Sequence, residues 1–474
     1  MTHLADGAVL RPSIAQGILR HPMMAPVLLS MLAILAISAP NLLDPMIRFD
    51  DYPALFADAG AYWHKTKDEG RWLNYLWHLR GITTPAWLNF LLYQLLWSLF
   101  AAFLAIAALR DVANRAWFAT VLALLVLVAP SATMISLWFN TLLPGLALIA
   151  LYAGLGLVVS RRTHLALMVP MTVLTFMAYT TYPLLLLATA ITCSKERSLR
   201  DLITLLSVFC FSFVLAVLCV YSLNLSIHGV FGVQVADWRN ATPGTDWTSL
   251  LGNLPLLSES LRDFLSRSSF DFSPMIWFHL TLLTLATGVL LRRVPMEALY
   301  LHAGLAMGLA LIVVQVLKVG VIAPPRAFIF AWVFYALLVV RAAQLLTDKG
   351  GLAGRFVRNA VLLIAGSYLL QTFMQYTTYR DWQSETRALA ETVQATEAPM
   401  AIADDILDLP SARSAFVQNN LALSFRLQQL TGKIIPVCVG ASGPCCPEIA
   451  ATGGRCPTLL RVRTHDGVPH IVLE

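Results

Sequence analysis

Charge is what this sequence has least of. Asp, Glu, Lys and Arg make up 13% of its 474 residues, about half the share found in soluble domains. That scarcity excludes the arrangement its length would otherwise suggest, a string of soluble domains of roughly 150 residues each. A water-soluble fold of this size could not cover its surface with so few charges. Recognisable catalytic signatures are also missing from its hydrophilic tail, 377–474: there is no glycine-rich phosphate loop, zinc-protease helix motif or nucleophile elbow there. No internal repeat is evident. What is present is apolar: hydrophobic residues reach 58% and the mean hydropathy is +0.68. The chain reads as a polytopic membrane protein. Its net charge of +6 is then a marker of topology, since basic residues gather on the cytoplasmic side, and no nucleic-acid partner is implied.

A bilayer core of about 30 Å takes about 20 apolar residues per helix. That length places candidate spans at 23–43, 86–109, 117–136, 141–160, 202–226, 275–291, 299–319, 327–346 and 357–376. The apolar stretch 165–194 is too long for one crossing. It is interrupted at Tyr179-Thr180-Thr181-Tyr182-Pro183, where proline removes a backbone donor and disfavours helix before it. Read as two short helices, it brings the total to about 11 transmembrane helices. Cations in the short connections, among them Arg115, Arg161, Arg162, Lys195, Arg197, Arg292, Arg293 and Arg341, put the N-terminus in the cytoplasm and the C-terminus outside.

The middles of the predicted spans hold no Asp, Glu, Lys or Arg. This disfavours an ion-driven transporter, which needs such groups at mid-membrane. Any polar site therefore belongs at the outer membrane–water boundary. Three regions lie there: 44–85, 227–274 and the tail 377–474, which follows a transmembrane domain spanning 1–376. The tail reads as a small extracytoplasmic α/β domain. Helical spacing covers 384–394 and 411–430, and strand patterns cover 433–439, 459–463 and 470–473. It also holds Cys438, Cys445, Cys446 and Cys456, disulfide candidates in an oxidising compartment. A zinc site is the rival reading, weakened by the lack of paired C-x-x-C spacing. Cys193, Cys210 and Cys219 sit in or beside spans and read as inert core residues.

The first outer loop is the densest polar region. It runs through Arg48, Asp50, Asp51, Asp58, His64, Lys65 and Lys67 to Gly70-Arg71-Trp72. Leu55, Phe56, Ala59, Tyr62 and Trp63 have the spacing of an amphipathic helix lying in the interface, with Trp63, Trp72, Trp77 and Trp87 at headgroup level. The adjacent Asp50-Asp51 pair has two readings. One is helix capping and solvation at a loop entry. The other is a general base, with one carboxylate catalytic and its neighbour orienting it or binding substrate.

The order Phe49-Asp50-Asp51-Tyr52, then Gly70-Arg71-Trp72-Leu73, then a span opening at Pro85-Ala86-Trp87, resembles the polytopic bacterial glucosyltransferases that decorate O-antigen. Those are GT-C-type membrane glycosyltransferases using lipid-linked sugars. Ala178-Tyr179-Thr180-Thr181-Tyr182-Pro183 resembles that family's tyrosine-containing break, and Ala323-Pro324-Pro325-Arg326-Ala327 its proline–arginine entry into a late span. One departure is that Tyr52–Phe56 lacks the arginine that members often carry just after the acidic pair. Arg48 or Arg71 stands nearest to replace it.

The resemblance implies an all-α, GT-C-like fold in the bacterial inner membrane. It implies transfer of a sugar, glucose by family analogy, from a polyprenyl-phosphate carrier to a glycan acceptor on the periplasmic face, with membrane lipids as the surroundings. Asp50 or Asp51 would be the base. Arg48, Arg71, Lys318 and Arg326 would be candidates for the phosphate, and Tyr179 and Tyr182 for the sugar or the prenyl groove. For the tyrosines and Arg326 the plainer reading is interfacial anchoring. No cofactor is expected and no metal-ligand cluster is present, the acidic pair being the one place left for a divalent ion. The alternative is a lipid-linked glycan polymerase or flippase of surface polysaccharide assembly. A third reading is a membrane scaffold that binds through its tail.

Overall fold

A computed structural model describes residues 24–109, 112, 115–268, 274–348, 351–398, 400–438, 458–465 and 468–473. The protein is mostly helical. Among the described residues, eight helical segments are long and apolar enough to cross a membrane: Met24–Asn41, Ala86–Leu109, Pro130–Val158, Leu199–His228, Met275–Arg293, Pro295–Val319, Pro325–Thr347 and Gly354–Ala395. Shorter apolar helices cover Arg115–Leu127 and Tyr182–Thr192, and a further helix covers Arg161–Ala178. Helix is the expected state for such runs, because hydrocarbon offers no hydrogen bonds and each backbone group must find its partner within the segment. Large apolar side chains stay exposed on the bundle, among them Phe211, Val214, Leu285, Leu363 and Leu370. So much exposed apolar surface is foreign to a soluble monomer and fits a lipid-facing wall.

The bundle has two chemically distinct ends. At one, short connections are held by ion pairs: Arg161 to Asp201 at 3.1 Å, and Arg197 and Arg341 to Glu297, each at 2.9 Å. At the other lie the long loops and the tail. Arg161–Ala178 and Tyr182–Thr192 run antiparallel, since the Arg161 guanidinium at the start of the first donates to the Ala190 carbonyl near the end of the second, at 2.8 Å. Between them Tyr179 is extended and the chain turns through Tyr182 N–H to Tyr179 O, at 3.0 Å. Pro183 sits in the first turn of the second helix, where its missing N–H costs no helical hydrogen bond.

The tail contributes a helix at Arg380–Ala395 and three strands, β1 Met400–Ile402, β2 Thr458–His465 and β3 Val468–Leu473. The sheet order is β1-β2-β3, with β1 parallel and β3 antiparallel to β2. Two expectations for the tail change. The helical pattern over 411–430 divides into Pro410–Ser414 and Leu421–Thr431, because Phe416 takes a left-handed backbone conformation (φ 53°) that ends the first helix. The strand pattern over 433–439 yields only a single bridge, Val437 to Ile402, while β1 carried too short a pattern to be seen.

The loop after the first span also differs from expectation. It forms Tyr52–Leu55, Ala59–Glu69 and Trp72–His78. Asp58 caps the second of these by accepting from Ala61 N–H. Tyr62 and Trp72, expected in the lipid interface, are buried in protein, whereas Trp63 and Trp87 remain exposed. The apolar stripe is thus spent on the bundle rather than on the bilayer.

Candidate functional site

The acidic pair is divided by its surroundings. Asp51 is fully buried. Its carboxylate accepts from the Asn140 backbone N–H at 3.0 Å, the Asn140 side-chain amide at 2.9 Å and the Thr141 backbone N–H at 2.8 Å. These backbone groups belong to the first turn of Phe139–Val158, whose N–H groups have no partner within the helix. Asp51 thus caps a helix distant in sequence, and burial pushes its carboxyl up to about 6 against the pull of those bonds. Asp50 points elsewhere and keeps 35% of its side chain exposed. Its Oδ1 accepts from Trp138 Nε1 at 2.6 Å. Lys65 Nζ donates to the Asp50 backbone carbonyl at 2.7 Å and lies 3.9 Å from Oδ2. Of the two carboxylates, only Asp50 is open to a ligand.

Trp138 links Asp50 to a cavity of about 400 Å³. The indole lines it, and the Arg326 and Arg48 guanidinium carbons lie 4.4 and 5.5 Å from the ring centroid, within cation–π range. Arg267 and Arg413 complete a lining that includes Tyr379, Gln375 and Phe416. Among the described residues four arginines and no carboxylate line this space. Each arrives from a different element. Arg326 sits in the turn Pro325–Phe328, fixed by Ser131 donating to the Pro325 carbonyl (3.0 Å) and by Ser260 accepting from Ala323 N–H (2.9 Å). Arg267 ends the helix Leu254–Arg267. Arg413 belongs to the tail, where Asp408 pairs with it at 2.6 Å. Arg48 is held by donating to the Phe416 carbonyl, which ties the first loop to the tail.

A second clamp repeats that tie. Asp44 pairs with Arg426 at 2.5 Å and Arg387 at 2.6 Å, both from tail helices. Burial alone would raise the Asp44 carboxyl, but these two cations hold it below its ordinary value. Gln383 adds hydrogen bonds to Asn41 Oδ1 and the Asp44 carbonyl. The start of the first loop, which carries Asp50, is thus wedged between the bundle and the tail.

Arg71 lies beside this group but not in the cavity. It pairs with Glu69 at 2.5 Å, and its guanidinium carbon is 5.7 Å from the Tyr179 ring centroid. Arg239 reaches the same Glu69 at 3.2 Å. Burial opposes ionisation of Glu69, yet Arg71, Lys65 and Arg239 hold its carboxyl down. Tyr179 is half-buried and packs edge-to-face on Tyr182 at 5.3 Å; Tyr182 itself is buried in the bundle, so only Tyr179 is placed to meet a ligand. Lys318 is not part of the group. Its Nζ donates to the Gly244 carbonyl at 2.8 Å, closing a clasp in which Gly244 N–H and Thr242 N–H return to the Lys318 and Gly320 carbonyls. The structure places Lys318 in this clasp and not among the residues that line the cavity.

Sequence reasoning passed over Trp138, Arg267 and Arg413. Trp138 lies inside an apolar run, and neither arginine belongs to a motif. Cys438 is disulfide-bonded, and its candidate partners Cys445, Cys446 and Cys456 lie outside the described residues. Among the described residues no cluster of three or more His, Cys, Asp or Glu is arranged to hold a metal. Comparison with protein-family descriptions, with curated proteins and with solved structures gives no match for this chain.

Proposed function

We propose that the protein is an integral-membrane glycosyltransferase that moves a sugar from a polyprenyl-phosphate carrier to a cell-surface glycan on the periplasmic face of a bacterial inner membrane. The observation that carries this reading is the arginine-lined cavity whose wall, Trp138, also holds the exposed carboxylate Asp50. Guanidinium groups recognise phosphate oxygens through forked donors, and a cavity with cations and no acids among its described lining residues suits an anion. Asp50 is the proposed base. With Oδ1 committed to Trp138, Oδ2 is left to take the proton of an acceptor hydroxyl. The hydroxyl oxygen then bonds to the anomeric carbon as the carbon–oxygen bond to phosphate breaks. The departing phosphate keeps the electron pair, and Arg48, Arg267 and Arg326 stabilise its charge.

In this reading Arg115–Leu127, Arg161–Ala178 and Tyr182–Thr192 complete the eight long segments to eleven crossings. The end bearing Arg161, Arg197 and Arg341 faces the cytoplasm and the loop end faces the periplasm, with the tail as an extracytoplasmic α/β domain. The experiment is Asp50→Asn and Asp51→Asn, each with membrane protein level monitored. Asp50→Asn is expected to abolish sugar addition at unchanged protein level. Full activity in that variant would remove the base from the account.

A further inference from the structure

Arg267 differs from the other arginines of the cavity in how it is held. Arg48 donates to the Phe416 carbonyl, Arg413 pairs with Asp408, and Arg326 packs on the Trp138 ring. Among the described residues no hydrogen bond or ion pair engages the Arg267 guanidinium. Its place in the cavity is therefore set by its backbone, at the end of Leu254–Arg267. That end is pinned from two sides. Phe264, one turn earlier, stacks on Phe328 with ring centroids 4.5 Å apart and planes 15° from parallel. Ser268, the next residue, is buried, and its carbonyl accepts from the Tyr368 hydroxyl at 3.0 Å.

Behind Tyr368 stands a group that the transfer step leaves unused. His279 lies one turn inside the span Met275–Arg293 and is 5% exposed. Its Nε2 lies 2.6 Å from the Tyr368 hydroxyl and its Nδ1 2.7 Å from the Tyr335 hydroxyl. The proton count gives this chain a direction. Tyr368 has one hydroxyl proton and gives it to Ser268, so its oxygen accepts from His279 Nε2–H. With the ring neutral, Nδ1 is an acceptor and Tyr335 donates to it. Three helices, Met275–Arg293, Ile329–Thr347 and Gly351–Thr377, thus build one ordered chain that ends on the backbone beside Arg267. An ionisable side chain inside a span is costly, and such groups mark functional machinery more often than packing.

We propose that His279 is a positioning residue for sugar transfer: by directing the Tyr368 hydroxyl onto the Ser268 carbonyl, it holds the end of Leu254–Arg267 so that Arg267 stays in the cavity. This rests on the reading of that cavity as the phosphate site. His279 itself meets no substrate and acts through Tyr368, Ser268 and Arg267 in turn. Loss of Nε2–H leaves the Tyr368 hydroxyl free to rotate away from Ser268, and the helix end then shifts together with its arginine.

The test is a double-mutant cycle on the purified full-length protein, reading kcat/KM for a labelled polyprenyl-phosphate sugar and the unfolding midpoint of each variant. Tyr368→Phe removes only the hydroxyl and should lower kcat/KM about 5–10-fold. His279→Leu should do the same, and His279→Gln, which keeps an N–H for Tyr368, should recover most of the loss. On an Arg267→Ala background, Tyr368→Phe should cost less than about twofold more, because its effect runs through a side chain already gone. On an Arg413→Ala background, whose arginine is held separately by Asp408, it should keep its full effect. Equal further losses on both backgrounds, or wild-type kcat/KM in Tyr368→Phe, would overturn the proposal while leaving the transfer reading in place. A wild type that consumes no donor would overturn that reading, and the positioning role with it. If His279→Leu does not fold, Tyr368→Phe and its cycle decide.

Discussion

The division of labour within the acidic pair has a measurable thermodynamic consequence. Asp51→Ala leaves the Asn140 and Thr141 backbone N–H groups and the Asn140 amide without their acceptor in a fully buried place. Each stranded donor costs about 1–3 kcal/mol, so three bound the loss at about 3–9 kcal/mol. The lower part of that range, roughly 3–5 kcal/mol, is expected, since larger losses are exceptional for one substitution. The pH dependence tests the same contacts differently. Burial raises the Asp51 carboxyl in the folded protein from 3.8 to about 6, so the fold favours the protonated form. The sign follows: the stabilisation is fully present below about pH 4 and is lost as pH rises through about 6. The wild type should therefore lose up to roughly 3 kcal/mol between those limits from this group. Asp51→Asn has nothing to titrate there, and its stability curve should be flatter over that window. Thermal unfolding in detergent from pH 4 to 8, on wild type, Asp50→Asn and Asp51→Asn, reads this directly. Identical pH slopes in wild type and Asp51→Asn would refute the reasoning.

Three other predictions concern the cavity and the loop clasp described above. Arg326→Lys keeps the charge but loses the forked donors; the Michaelis constant for the lipid donor should rise about 10–100-fold with the unfolding midpoint unchanged, and an unchanged constant would remove Arg326 from the phosphate site. Gly320→Ala should destabilise by roughly 2–4 kcal/mol, because φ is +68° and an added Cβ would lie 2.0 Å from the Thr242 carbonyl oxygen; a wild-type midpoint would contradict the clasp described for this loop. Phe416→Gly relieves a left-handed residue at about 1 kcal/mol and removes a ring 48% exposed at the cavity. Its midpoint should stay within about 1 kcal/mol of wild type, and a loss of several kcal/mol would mean that the ring itself holds the tail in place.

The membrane architecture was legible because it depends on local composition. Runs without charge gave the long helices, and the Tyr182-Pro183 step marked the break between Ala178 and Tyr182. The acidic pair drew notice for its density beside the bilayer, yet its two members could not be told apart. What separates them is contact with residues about ninety positions later, where Asp51 meets Thr141 and Asp50 meets Trp138. Arg267 and Arg413 escaped notice for the same reason. An isolated arginine at a helix end reads as an ordinary surface charge until tertiary packing sets it beside Arg48 and Arg326. Lys318 drew notice from its position at the end of a span, and its contact with the Gly244 carbonyl was equally invisible before packing.

The central claim is that the arginine-lined cavity receives a phosphate-linked sugar. The most direct measurement is turnover by purified wild-type protein of a labelled polyprenyl-phosphate sugar, with and without acceptor glycan. The account predicts that free polyprenyl phosphate accumulates together with sugar on the acceptor, and that both are lost in Asp50→Asn. No consumption of any such donor, in a preparation that retains its native unfolding transition, would contradict it.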